Sequence, residues 1–309
     1  MPIFANRRNG VRLAPELDDA DLGRVRRQLE SAQGRSVQVD LVAEVVRHAG
    51  TDWDLRTRRI VVLAEAAKLA LAKFWYHREP DNADALLFYV WVQYYHARRQ
   101  RDLTSSRDLI KMCYRAADLH PDDPVPWVAL LATFRSIQRH QSDVFHAWRE
   151  IKVRDSWNRE GHLQMLGYLS PEECGSHSLV LDLLDQVKFS MPPGAPASIV
   201  ELIPHVERHH KAESSGGVNS LLADRQWLQQ PAVSVLEKAL RDWPSPGFLK
   251  HSAAIADLNL LAYALVLAKR PRDAATVFEK IGDTITEWPW GINGDPLRRY
   301  VHWRKWALR

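Results

Sequence analysis

Leu261-Ala262-Tyr263-Ala264-Leu265, then Ala274-Ala275-Thr276-Val277-Phe278 after eight intervening residues, is the stretch that decides the fold. Leucine, small, bulky, alanine and aromatic positions follow one another at helical spacings, with room for one tight turn between two helices. Small residues let paired helices approach, and bulky ones fill the groove between them. Such a pair cannot bury its own apolar face, so it must stack on neighbours.

The same grammar recurs upstream. Trp127, Leu130, Leu131 and Phe134 repeat the first-helix spacing, and Pro121 stands six residues before Trp127. Both segments fit the tetratricopeptide pattern of Trp-x2-Leu-Gly-x2-Tyr and Ala-x3-Phe, with Leu131 in place of the small residue. Helical periodicity continues through Ile60, Leu63, Ala67, Ala70, Leu71, Phe74 and Trp75, and again over about 83–98; no convincing period-2 strand appears. Only 14 glycines also disfavour a turn-rich β architecture. Asp122-Asp123-Pro124 and Ser170-Pro171-Glu172-Glu173 read as helix starts, the second as a capping box. The fold expected is all-α: an irregular TPR-like α-solenoid of antiparallel helix pairs. Residues 1–80 would form a helical segment packed on the repeats, 81–211 the repeat core, and 221–309 a C-terminal repeat with a capping helix. Residues 212–220, with Ser214-Ser215-Gly216-Gly217, would be the flexible linker.

The chain has 309 residues, 46% hydrophobic and 26% charged, enough to build a core of one or two domains. A net charge of +4 is small for that length. Basic residues gather only at Arg98-Arg99-Gln100-Arg101 and in the tail, at Arg298, Arg299, Arg304, Lys305 and Arg309, beside Tyr300, Trp303 and Trp306. A nucleic-acid surface needs such charges on one face; a capping helix with a solvated side explains the tail as well. The opening eight residues lack the apolar core of a leader. The longest apolar runs are too short for a bilayer, so a cytoplasmic location is expected. Cys113 and Cys174 form no disulfide framework.

The segment Arg154-Asp155-Ser156-Trp157-Asn158-Arg159-Glu160-Gly161-His162-Leu163-Gln164-Met165-Leu166, with Leu169-Ser170-Pro171, Gly175-Ser176-His177 and the later His205-Val206-Glu207, resembles a known group. It is similar to an uncharacterised, largely actinobacterial, TPR-like helical-repeat family over roughly residues 85–210. That family carries an Arg-Asp-Pro-x-Asn…His-x-x-Met-Leu helix, a Pro-x-Trp-Gly-Gly-Ser turn and a later His-x-Glu. Ser156 stands in place of the proline, and Glu173-Cys174 in place of the Trp-Gly. The resemblance implies an architecture and a set of polar positions, not a reaction.

Motifs for nucleotide phosphates, dinucleotides, serine-hydrolase elbows and zinc-bound His-Glu-x-x-His helices are absent. Asp18-Asp19-Ala20-Asp21 and Asp122-Asp123 sit where helix caps are expected. Cys174-Gly175-Ser176-His177 reads as a turn, with Ser176 or Ser178 as cap. Glu201, His205 and His209 would share a helix face if Pro204 leaves the helix continuous, but the proline argues against a metal stripe. No metal or cofactor is expected.

Arg154, Asn158 and His162 would line one helix on the concave face of the solenoid, with His205 and Glu207 on the next; Trp127, Trp148 and Trp157 are candidate binding aromatics or core. The leading expectation is a non-enzymatic scaffold or adaptor that binds a peptide or protein partner in its groove. The alternative is an accessory enzyme of specialised metabolism, whose small-molecule pocket uses His/Glu acid–base groups. A weaker alternative is a nucleic-acid-binding regulator.

Overall fold

The structure, a computed structural model, describes residues 10–31, 34–100 and 106–309. The leader reading of residues 1–8 lies outside them for its whole length, as does Arg101 of the first basic cluster. Sixteen α-helices make the described chain all-α, apart from one two-residue strand pair. The chain divides into two compact units, Asp19–Gln186 and a second made of the stretch up to Asp18 with Val187–Arg309.

The first unit holds α1 (Ala20–Leu29), α2 (Arg35–Arg47), α3 (Trp53–Ala66), α4 (Leu69–Arg78), α5 (Ala83–Gln100), α6 (Ser106–Leu119), α7 (Val125–Ser136), α8 (Gln141–Arg154) and α9 (Arg159–Tyr168). α10 (His177–Ser190) starts in it. Asp19 and Asp52 cap α1 and α3 by accepting from the amides of Leu22 and Leu55. Asn82 Oδ1 does the same for Asp84 at the start of α5.

From α5 to α9 each helix packs on the next. α3, α5, α7 and α9 also meet as an inner row, in which α3 touches the other three. α7 is apolar around its circumference, and every residue from Val125 to Phe134 is buried, as expected of a helix surrounded on all sides. The inner row therefore closes on itself and fills its centre with side chains.

One buried cation ties the early helices to the later ones. Arg56 Nε donates to Asp123 Oδ2 at 2.9 Å, and its Nη2 donates to Asp84 Oδ1 at 2.5 Å. Asp123 also accepts from the amide of Val125, so the expected cap of α7 is at the same time a buried ion-pair partner. Ser170-Pro171 starts no helix: residues 171–174 are a turn, and Glu173 is paired with Arg135 instead.

The second unit contains the parallel pair β1 (Arg12–Leu13) and β2 (Thr284–Ile285), two strands that helical periodicity does not foresee. Its helices are α11 (Ile199–Ser215), α12 (Gly217–Leu222), α13 (Ala232–Asp242), α14 (Ala254–Leu267), α15 (Pro271–Ile281) and α16 (Pro296–Ala307). α14 packs on α15, and Leu261, Ala262, Leu265, Ala274 and Phe278 are all fully buried. Phe278, Trp290 and Tyr300 then form a mutual ring cluster that fastens α16.

The expected linker at 212–220 is a bend inside this unit, not a boundary. Gly216 and Gly217 have φ of 69° and 58°, a backbone that only glycine adopts freely. α11 packs on α13 and α14 beyond the bend. The division falls between Gln186 and Val187, within α10, and residues 19–80 belong to the same unit as α5–α9.

Candidate functional site

The polar and aromatic candidates of the first unit converge on α8. Val144, Ala147 and Ile151 form its buried seam. At 100° per residue, His146, Glu150 and Arg154 fall on one flank of that seam, and Trp148 with Lys152 on the other.

On the first flank, Arg154 is the last residue of α8. Its Nε donates to the carbonyl of Pro121 at 2.5 Å, and its Nη1 to Glu150 Oε2 at 2.7 Å. The guanidinium lies 5.2 Å from the centre of the Trp127 ring. His146 and Tyr114 meet Trp127 edge-on, with centroids 5.6 and 5.8 Å away. Trp127 is buried, whereas Tyr114, Phe145 and His146 are exposed. The result is a surface of three neighbouring helices, α6, α7 and α8, with an indole at its centre and an arginine over it.

On the second flank, His162 meets Trp148 edge-on at 4.7 Å and stacks on Trp157 at 5.6 Å. Its Nδ1 donates to the Asn158 carbonyl at 2.8 Å, while Nε2 is buried without a partner. Burial pushes its pKa down to about 4, so the ring is neutral. Asn158 caps α9 by accepting from the Gly161 amide, and donates to Asp155 and Thr57.

Arg154, Asn158 and His162 thus do not share a helix. The Asp155–Trp157 turn separates α8 from α9, with Asp155 ending α8 at φ −146°. Asn158 and His162 are core residues at 1% and 0% exposure and do not form a groove wall.

His205 and Glu207 belong to the other unit, on α11, the second helix after α9. Two residues apart is about 200° of helix rotation: His205 is buried and Glu207 exposed, so they do not face each other as an acid–base pair. Burial pushes the His205 pKa down to about 4 as well. The stripe Glu201, His205, His209 lies on an unbroken α11 despite Pro204, but its members are used separately. Glu201 pairs with Lys238 at 2.7 Å, and His209 accepts from Trp227 Nε1 at 3.2 Å. Among the described residues no three His, Cys, Asp or Glu side chains are grouped to hold an ion.

Cys174-Gly175-Ser176-His177 is a turn that closes back on α9. The amides of Cys174, Gly175 and Ser176 donate to the carbonyls of Tyr168, Ser170 and Leu169, and Ser176 Oγ accepts from Leu179 to start α10. Burial raises the Cys174 pKa, the wrong direction for a nucleophilic thiolate.

The basic tail is largely engaged. Arg298 pairs with Asp295, Arg299 donates to Tyr263 and to the Asn293 carbonyl, and Arg304 pairs with Asp283. Among the described residues no helix is long and apolar enough to cross a membrane.

Sequence reasoning missed Tyr114, His146 and Lys152. Their partners come from helix packing, and no motif marks them. Comparison with protein-family models, curated proteins and solved structures finds no match for this chain; the TPR-like resemblance rests on the quoted motifs alone.

Proposed function

We propose that this chain is a helical-repeat scaffold, an irregular TPR-like α-solenoid of antiparallel helix pairs, that binds a protein or peptide partner. The observation that carries the reading is the Trp127 surface: Tyr114, Trp127, His146 and Arg154 from three successive helices, on the outer side of a unit whose inner row is filled. Tryptophan, tyrosine and arginine are the residues that dominate binding hot spots. The partner would dock on α6–α8 and not in a central groove, because the inner helices occupy that space.

The acid–base enzyme is disfavoured by the same residues. His162 is buried against two indoles as a neutral ring, and His205 and Glu207 diverge from one helix. The nucleic-acid reading is disfavoured by the paired state of Arg298, Arg299 and Arg304.

The test is affinity capture from the source cells with full-length protein, quantified against a Tyr114→Ala/His146→Ala variant of unchanged circular dichroism. A partner retained by the wild type should fall at least tenfold on the variant. Equal recovery of every captured protein would contradict the reading.

A further inference from the structure

On the opposite flank of α8, Lys152 extends its ammonium between two tryptophans. Nζ lies 4.1 Å from the centre of the Trp157 ring and 5.6 Å from that of Trp148. The His162 ring packs against both indoles, edge-on to Trp148 and stacked on Trp157. Trp148, Lys152 and Trp157 are half-buried, while His162 is at 0% exposure with Nε2 unpartnered.

The other cations seated over aromatic rings are also held by oxygen atoms. Arg98 bonds Tyr94 Oη, Arg154 bonds the Pro121 carbonyl and Glu150, and Arg299 bonds Tyr263 Oη and the Asn293 carbonyl. Lys152 has rings and no carboxylate or carbonyl for its ammonium among the described residues. A primary ammonium is a strongly hydrated point charge, and burying it without hydrogen-bond acceptors is costly. Burial lowers the Lys152 pKa, with no neighbouring anion opposing it. A methylated ammonium has little hydration to lose and presents methyl groups to the ring faces. Its recognition is the known use of such cages.

We propose that Trp148, Trp157 and His162 form an aromatic cage for a methylated organic ammonium, occupied in the free protein by the chain's own Lys152. Rotation of the Lys152 side chain toward solvent opens the cage, and the incoming cation takes its place over the two indoles. The cage stands on the flank away from Trp127, so it is independent of partner docking at Tyr114 and His146.

The experiment is calorimetric titration of the full-length protein with tetramethylammonium chloride, and with ammonium chloride at matched ionic strength. Lys152→Ala should bind tetramethylammonium at least tenfold more tightly than the wild type, and Lys152→Arg should not gain. Ammonium should bind neither. Adding Trp157→Leu to Lys152→Ala should abolish binding; if that variant fails to fold, Trp148→Leu takes its place. Choline and a trimethyl-lysine peptide then separate a free metabolite from a modified protein as the source of the cation, and tight binding of either supports the cage. A folded Lys152→Ala protein that ignores tetramethylammonium overturns the proposal, as does binding that survives loss of the indoles.

Discussion

The Arg154 guanidinium lies 5.2 Å from the centre of the Trp127 ring, so the last residue of α8 covers the first turn of α7. Both were candidates from sequence, and their contact joins them to Tyr114 and His146, which were not. Stacking of Arg on an indole is worth about 0.5–1 kcal/mol at exposed sites and more when desolvated. Arg154→Ala should therefore lower stability by roughly 1–2 kcal/mol, with lost bonds to Pro121 and Glu150 included, measured by urea unfolding. Arg154→Lys should recover little, since the planar group makes both the stack and the fork.

Arg56 is a buried tie between α3, α5 and the start of α7. Removing it leaves Asp123, at 2% exposure, and the partly buried Asp84 facing each other without a cation. Arg56→Met should cost about 3–5 kcal/mol. Replacing Asp123 by Asn should cost less, because Asp84 still neutralises the guanidinium. Thermal and chemical unfolding of the two variants checks the order.

His162 and His205 make stability depend on pH. Each has a folded pKa of about 4, below the unfolded value of about 6.5. The unfolded chain therefore binds more protons between these limits, and stability falls as pH drops from 6.5 toward 4. The loss approaches about 3 kcal/mol per histidine at the lower limit. Denaturant midpoints at pH 7 and pH 4.5 measure it, and His162→Gln should flatten the slope of the transition that reports Asp19–Gln186.

Two glycines separate flexible from rigid neighbours. A Cβ on Gly175 would sit 2.0 Å from the Leu169 carbonyl oxygen, which is backbone; on Gly167 it would sit 2.1 Å from the Arg135 guanidinium, which can swing aside. Gly175→Ala should thus be severe, several kcal/mol in size. Gly167→Ala should cost about 1 kcal/mol through the displaced Arg135–Gln164 and Arg135–Glu173 bonds. Equal losses in unfolding experiments would contradict this reading of the turn.

Local chemistry was legible in the sequence and long-range pairing was not. The period of Leu261, Leu265, Ala274 and Phe278 announces α14 and α15, and Asp19 and Ser176 cap where their neighbours predict. Asp123 looked like a cap alone because its cation, Arg56, lies 67 residues away. Arg154, Asn158 and His162 looked like one polar helix face because nothing in the residues marks the break at Asp155, which leaves Arg154 on α8 and the other two at the start of α9. The boundary inside α10 carries no proline or glycine, whereas Gly216-Gly217, which looked like one, only turns the chain within a unit. Lys152 carries no motif that singles it out in the sequence, since its aromatic neighbours come from two helices and the turn between them.

The central claim is that the α6–α8 face around Trp127 is where a partner binds. Amide hydrogen exchange of the full-length protein, with and without its captured partner, tests it most directly. The account predicts new protection along Ser106–Leu119 and Gln141–Arg154, lost in Tyr114→Ala/His146→Ala. Protection confined to other helices, or none on these two, would contradict it.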